Sequence, residues 1–97
     1  MRIFWTTPAL RDLTALFDYF ATRDPEVALS TDTAIREAVQ RLGDFPHRGR
    51  PGRRDGTREL VIAGLPYLVA YAAQETRVTV LRVLHTVQDW PSRRWVD

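Results

Sequence analysis

The side chains of this sequence that are best suited to chemistry are arginines, and one segment concentrates them. Residues 49–60, GRPGRRDGTREL, contain four arginines and three glycines and lead directly into an apolar run. Guanidinium groups bind phosphate and carboxylate groups through paired hydrogen bonds, and they stay protonated at physiological pH. The segment is therefore either a solvated loop or a cationic surface that holds an anionic partner.

The composition narrows the chemistry that the chain can perform. All fourteen basic residues are arginine, cysteine is absent, and the net charge is +2. No lysine can serve as a nucleophile or tunable base, and the lack of cysteine excludes disulfides and thiolate metal sites and suits a reducing cytoplasm. No stretch approaches the ~20 apolar residues of a membrane span. We therefore expect a cytoplasmic protein without a metal, a cofactor or a membrane partner.

Arg58 and Arg82 are the arginines that predicted strands would hold in place. For Arg58, which follows the basic loop, a binding role and a salt bridge both stay open, the bridge being with Asp55 or with Glu59 of a neighbouring molecule. Arg82 lies between two apolar residues of a strand, so its charge must be paired or must face a groove. We favour the groove for Arg82, with an internal ion pair as the alternative.

His85 falls at the end of the same predicted strand as Arg82. On a regular strand it points away from Arg82, so the two share a site only where a bulge intervenes. We therefore favour a hydrogen-bonded structural histidine over a catalytic one. Tyr67 and Tyr71 share a strand face and are expected in the core or against a partner. Packing roles are expected for the tryptophans, Trp5, Trp90 and Trp95.

Two amphipathic helices are predicted in the first half of the chain. After a short strand at residues 2–6 (RIFWT), Thr7-Pro8 starts a helix with a capping hydroxyl and a proline at the first helical position, and the helix ends near Arg23. Asp24-Pro25-Glu26 starts the second helix, and Gly43 suits the position just after it. The short connection predicts a helical hairpin. Its apolar stripes are Leu10, Leu13, Leu16, Phe17 and Phe20, then Ala28, Thr31, Ala34, Ile35, Ala38, Val39 and Leu42.

Three strands are predicted in the second half, at residues 58–63, 67–73 and 77–85. Connections of about three residues join them into an antiparallel meander. In the last strand Val78, Val80, Arg82 and Leu84 share one face, so neither face is wholly polar, and both must be covered. The order β-α-α-β-β-β predicts a single α+β domain over residues 1–97, an antiparallel sheet with the α-helical hairpin packed on one face.

Several short motifs, taken in order, resemble the RelE/ParE superfamily of bacterial toxins, and most closely its ParE-type, plasmid-stabilisation branch. The resemblance covers about nine-tenths of the chain, and the shared fold is also β-α-α-β-β-β. The matching motifs are W-T-x-x-A-x-x-D-L (5–13), F-P-x-x-G-R-P-G-R (45–53), G-T-R-E-L (56–60), L-P-Y-x-V-x-Y (65–71) and V-L-R-V-L-H-x-x-Q-x-W-P (80–91).

The resemblance implies the toxin of a type II toxin–antitoxin system, neutralised by a cognate, ParD-like antitoxin in a hetero-oligomer. An acidic amphipathic segment of the antitoxin would cover the helical hairpin and the sheet edge. ParE-type members inhibit DNA gyrase, which a cationic surface would contact here. The residues expected on that surface are Arg50, Arg53, Arg54, Arg58 and Arg82.

RelE-type members instead cut messenger RNA on the ribosome, and the resemblance implies which residues would do so here. Arg58 and Arg82 would clamp the phosphate, and His85 would act as the general acid. The chain has no lysine, and residues 86–89 (TVQD) stand where RelE-like sequences carry a tyrosine. We therefore favour a gyrase inhibitor, with a ribosome-dependent endoribonuclease, or an inactive homologue that only binds its antitoxin, as alternatives.

Overall fold

A five-stranded sheet, covered on one face by a helical hairpin, organises the chain. The computed structural model describes residues 1–87, so the expectations for Trp90 and Trp95 lie outside the described residues. No helix in this range has the length and apolar character needed to cross a membrane. The elements are β1 (Arg2–Trp5), α1 (Thr7–Ala21), α2 (Pro25–Arg41), β2 (Arg50–Pro51), β3 (Arg58–Val61), β4 (Tyr67–Ala73) and β5 (Arg77–His85).

The strand order in the sheet is β1-β5-β4-β3-β2. The predicted α+β architecture is confirmed, and β3, β4 and β5 form the expected antiparallel meander. Two features correct the prediction. The strand β1 pairs with β5 in parallel, because the chain crosses the sheet through the hairpin before it reaches β5. The two-residue strand β2, which was not predicted, pairs with the start of β3.

The start of α1 is held by Thr6 and not by Thr7 as predicted. The Thr6 hydroxyl accepts a hydrogen bond from the backbone N–H of Ala9 at 3.3 Å. It also donates to the carbonyl oxygen of Leu81 at 3.1 Å, while the backbone N–H of Thr6 donates to Val80 at 3.0 Å. Thr6 therefore ends the strand pairing and caps the helix at once, which shifts the helix start by one residue.

The second helix begins as predicted, with the Asp24 carboxylate accepting from the backbone N–H groups of Glu26 and Val27. Its end follows a different rule from the one predicted. Gly43 follows the C-terminal cap, but the positive φ angles among the described glycines occur at Gly56 and Gly64. A Cβ at Gly43 would instead lie 2.8 Å from the carbonyl oxygen of residue 1, so close backbone approach explains this glycine.

The main core lies between the hairpin and the sheet, and it confirms most of the predicted stripes. Leu10 is an exception, because it is exposed on the outer side of α1. A second buried cluster, Leu68, Ala70 and Leu84, lies on the opposite face of the sheet. Both faces are thus covered within one chain. The main core consists of Ala9, Leu13, Ile35, Ala38, Val39, Leu42, Ile62, Val69, Tyr71, Val78, Val80 and Val83.

A bulge in β5 changes which residues share a face. Tyr71 pairs with Val80, but its neighbour Ala70 pairs with Arg82, so Leu81 is an extra residue in the ladder. The prediction that Val80 and Arg82 share a face of β5 is therefore wrong, because the bulge at Leu81 lies between them. Instead Val83 joins Val80 in the main core.

The double role of Thr6 predicts a local contribution to stability. We expect Thr6→Ala to lower the free energy of unfolding by about 1–2 kcal/mol, because the helix cap and the bond to Leu81 are both lost. Thr14→Ala, an exposed change within α1, is the control and should shift it by no more than about 0.5 kcal/mol. Urea denaturation measures both, and equal midpoints for the two variants would contradict the cap.

Candidate functional site

The basic segment is folded around one buried carboxylate, that of Glu59. This side chain is 1% exposed and accepts hydrogen bonds from Arg50 Nη2 at 3.3 Å and from Arg53 Nε at 3.1 Å. The backbone N–H of Arg53 also donates to it, at 3.0 Å. We had considered Glu59 only as a partner from a neighbouring molecule, whereas it binds arginines of its own chain. Two of the predicted target-binding arginines, Arg50 and Arg53, therefore share one internal carboxylate.

The environment of Glu59 keeps it ionised at neutral pH. Burial by itself raises the pKa of this carboxyl group, because it disfavours the charged form. Hydrogen bonds from the side chain and backbone of Arg53 and from Arg50, together with the charge of Arg53, act in the opposite direction and prevail. The pKa of Glu59 consequently lies below its ordinary value of 4.5.

Arg58 and Tyr71 hold the loop before β2 through its backbone. Arg58 Nη1 donates to the carbonyl oxygen of Gly49 at 2.8 Å and to that of His47 at 3.4 Å. The buried hydroxyl of Tyr71 donates to the carbonyl of Pro46 at 2.8 Å and accepts from the N–H of Gly49 at 2.9 Å. Burial raises the pKa of Tyr71, which keeps this phenol protonated. Arg58 thus has backbone partners instead of the salt bridge considered above.

Arg82 forms the internal ion pair that we considered as the alternative to a groove. Its Nε and Nη2 atoms donate to the two carboxylate oxygens of Asp12 on α1, the Nη2 bond measuring 2.8 Å. The same carboxylate accepts from the backbone N–H of Val83 at 3.0 Å. The two side chains are only 13% and 17% exposed. Sequence reasoning missed Asp12, although its place in the W-T-x-x-A-x-x-D-L motif was a signal.

The structure does not bring Arg58 and Arg82 into a common groove. Arg58 lies opposite Tyr71 in the sheet, whereas Arg82 lies opposite Ala70, the next residue of β4. Adjacent residues of a strand alternate in direction, so the register directs the two arginines to opposite sides of the sheet, and Arg82 meets Asp12 of α1 where β5 extends beyond β1. The hypothesis that they face each other is therefore corrected.

His85 is also separate from Arg82. Its ring packs edge-on against that of Tyr67, with 5.6 Å between the centroids, and its Nδ1 accepts from the backbone N–H of Val87 at 3.3 Å. The bulge at Leu81 precedes Arg82, so it leaves His85 and Arg82 on opposite faces. Arg82 is thus directed to the side of the sheet opposite both Arg58 and His85. No group of three or more potential metal ligands is present among residues 1–87.

Two further arginines lie beside a groove between α2 and β3, which Glu37 also lines. Arg41, at the end of α2, and Arg48, in the loop before β2, line this cavity of about 180 Å³ together with Leu60 and Ile62. Arg48 also borders a shallow apolar pocket of about 490 Å³ beside Phe45. Arg54, the other candidate in the segment, accepts the N–H and hydroxyl of Thr57 at its backbone carbonyl.

Comparison with known proteins identifies close relatives. A family model described as the ParE toxin of the type II toxin–antitoxin system parDE matches residues 3–90. The chain is 42% identical to Y4kP of Sinorhizobium fredii over 90 residues, and this alignment covers 93% of each chain. It is 32% identical over 87 residues to Toxin RelE2 of Caulobacter vibrioides, covering 90% of this chain and 97% of that one.

Two solved structures share the fold over most of their length. The first comes from the chromosomal ParDE toxin–antitoxin system of P. aeruginosa, with a TM-score of 0.78 and 28% identity over 88% of this chain and 95% of that one. The second comes from the RelBE2 toxin–antitoxin complex of Mycobacterium tuberculosis, with a TM-score of 0.64 and 30% identity over 87% and 95%. Their sequence identities of 28% and 30% support relatedness in addition to a shared fold.

The buried cluster around Glu59 predicts a pH-dependent contribution to stability. At pH 7 we expect Glu59→Gln to lower the free energy of unfolding by about 2–4 kcal/mol, because Arg50 and Arg53 lose their charged partner. Asp32→Asn removes the exposed pair with Arg36 and is the matched control, with an effect below about 0.5 kcal/mol. Urea denaturation measures both differences.

The direction of the pH effect follows from the lowered pKa of Glu59. The stabilisation by its carboxylate is complete above the unfolded value of about 4.5 and is lost as the pH falls through the folded value. The stability difference between the wild type and Glu59→Gln should therefore narrow when the pH is lowered below 4.5. A difference that stays constant from pH 7 to pH 3 would contradict the assignment.

Proposed function

The chain belongs to the ParE toxin family of type II toxin–antitoxin systems, and on that premise we propose that it inhibits DNA gyrase by binding to it. A cognate antitoxin neutralises this toxin by binding to its surface. The family match and the relatedness to toxins of the RelE/ParE superfamily support the role of the chain as a toxin. The choice of a binding mechanism over a catalytic one is supported by the geometry of three side chains.

The observation that carries this choice is that Arg58, Arg82 and His85 each have partners within the chain. Cleavage of RNA needs a cation at the scissile phosphate and groups that exchange protons within hydrogen-bond reach of it. Arg58 donates to loop carbonyls, Arg82 is bound to Asp12, and His85 lies on the face of the sheet opposite Arg82. These contacts favour a toxin that acts through its surface.

The cationic surface proposed for the target is the region of the basic segment, from Arg48 to Arg58. Arginine side chains suit an anionic protein surface because they pair with carboxylates in a fixed, bidentate geometry. In the folded chain Glu59, Arg58 and Tyr71 hold the backbone in and beside this region at Arg53, Gly49 and Pro46. A rigid surface loses less conformational entropy when it binds than a flexible loop does.

The antitoxin surface proposed here includes the outer side of the helical hairpin. Leu10, Tyr19 and Leu29 are exposed apolar side chains of the two helices, with Leu10 and Tyr19, nine residues apart, on opposite flanks of α1. Grooves and faces of this kind accept amphipathic segments that fold as they bind. The two solved relatives come from a toxin–antitoxin system and a toxin–antitoxin complex, which supports a hetero-oligomer for this chain as well.

A RelE-like, ribosome-dependent endoribonuclease is the second candidate. The similarity to Toxin RelE2 and to the RelBE2 structure favours it. Under that mechanism Arg58 and Arg82 would hold the phosphate and His85 would donate a proton, which would require these side chains to leave their present partners. An inactive homologue that only binds its antitoxin is the third, and it would not arrest growth when produced alone.

The deciding experiment combines three measurements on one protein. The chain is induced without its antitoxin, and growth, gyrase supercoiling by the purified protein, and primer extension on translated messages are followed. We expect growth arrest and loss of supercoiling without new message ends. Supercoiling that is unaffected at concentrations that arrest cells would refute the proposal, and position-specific cuts that are lost in Arg82→Ala would establish the nuclease.

His85→Ala separates the two active candidates without disturbing the core, because this side chain is exposed. We expect the ability of the His85→Ala variant to arrest growth to stay within about twofold of that of the wild type. A nuclease that used His85 as its general acid would lose activity by about 10²–10⁴-fold. Thr86→Ala, at the adjacent exposed position, controls for local changes at the end of β5.

A further inference from the structure

Two arginines beside the basic segment, Arg41 and Arg48, differ from most of the arginines within it in having no partner that holds them among residues 1–87. Arg50 and Arg53 share the carboxylate of Glu59, and Arg58 donates to backbone carbonyls. Arg41 and Arg48 are exposed, and no ion pair holds either of them among residues 1–87. Their guanidinium groups therefore keep all of their hydrogen-bond donors for a partner.

Arg41 and Arg48 both line the groove between α2 and β3. The rest of its lining includes apolar side chains, with Ala38 from α2 and Leu60 and Ile62 from the β3 region, and one acidic side chain, that of Glu37 on α2. The groove holds about 180 Å³, which is enough for one side chain of moderate size and too little for a folded element. Two arginines against the single acidic residue Glu37 leave the groove with a net positive charge. Together with the apolar side chains of the lining, this charge favours an occupant that has an apolar side chain and carboxylates placed near Arg41 and Arg48.

The edge of the sheet beside this groove is open. The short strand β2 pairs with Arg58 and Glu59, so within residues 1–87 no strand pairs with β3 on its outer side at Val61. The N–H of Ile62 donates to Tyr67 at 2.9 Å, and antiparallel pairing alternates, so the backbone groups of Val61 point away from β4 and towards the open edge. An extended backbone could pair there.

We propose that this groove, the Arg41–Arg48 groove, holds an extended acidic segment of the target protein. An apolar side chain of that segment would enter between the two arginines, carboxylates on either side would pair with Arg41 and Arg48, and its backbone would run along the edge at Val61. The inference rests on the proposed function for the identity of the target, and it narrows the contact from the whole basic segment to two arginines.

The first test removes one charge at a time. Arg41→Gln and Arg48→Gln should each raise the concentration of toxin needed for half-inhibition of gyrase supercoiling by about tenfold, as expected for arginines at the centre of an interface. Arg11→Gln, which removes an equally exposed and unpaired arginine on the outer side of α1, should change it by less than twofold. Thermal denaturation should show unchanged folding for all three variants.

The second test uses the sign of the charge at the open edge. Val61 is 47% exposed, so Val61→Glu and Val61→Lys disturb the fold to a similar extent. An acidic occupant predicts that Val61→Glu weakens inhibition at least tenfold, whereas Val61→Lys leaves it unchanged or improves it. Equal effects of the two substitutions would overturn the proposed occupant.

The failure of the groove can be told apart from the failure of the proposed function. If the wild type arrests growth but leaves supercoiling unaffected, gyrase is the wrong target, and the same variants are then compared by growth arrest. If Arg41→Gln and Arg48→Gln arrest growth as well as Arg11→Gln does, the groove is not the target site. Loss of affinity for the purified antitoxin with inhibition intact would assign the groove to the antitoxin and also overturn the inference.

Discussion

The buried carboxylate of Glu59 is the constraint on which the functional surface depends. A charge that is 1% exposed must be paired, because an unpaired buried carboxylate costs several kcal/mol. Arg50 and Arg53 supply the pairing, and Arg53 does so with its backbone as well as its side chain. Because Glu59 needs hydrogen-bond donors, the basic segment packs against the sheet. Arg50 of β2 then lies opposite Glu59 of β3. A stretch that reads as a loop becomes part of the fold.

A second long-range pair connects the helices to the sheet. The Asp12 carboxylate binds Arg82 and also the N–H of Val83, which lies beyond the end of β1 where β5 has no strand on that side. A side chain of α1 therefore takes the place of a strand partner next to the bulge at Leu81. Because Arg82 is fixed in this way, the residue that most resembles a catalytic arginine has a structural partner.

The fold could be predicted from the sequence because its signals are local. The apolar residues of each helix, among them Leu13 in α1 and Ile35 in α2, recur at helical spacing. Asp24-Pro25 marks a helix start that needs no distant partner. The bulge could not be predicted in the same way. Residues 78–84 are apolar on both faces apart from Thr79 and Arg82, so the pattern carries no regular alternation that an extra residue at Leu81 would interrupt. The strand β2 was missed because two residues carry no periodicity.

The sequence by itself determined the helical hairpin, the three-strand meander, the likeness to a toxin superfamily and the positions of the arginines. The tertiary structure alone decided which arginines have partners. Arg82 and Asp12 are 70 residues apart, and Arg50, Arg53 and Glu59 meet only when β2 pairs with β3. The physical reason is that secondary structure follows from spacing and capping within a few residues, whereas the fate of a charge depends on what the folded chain places beside it.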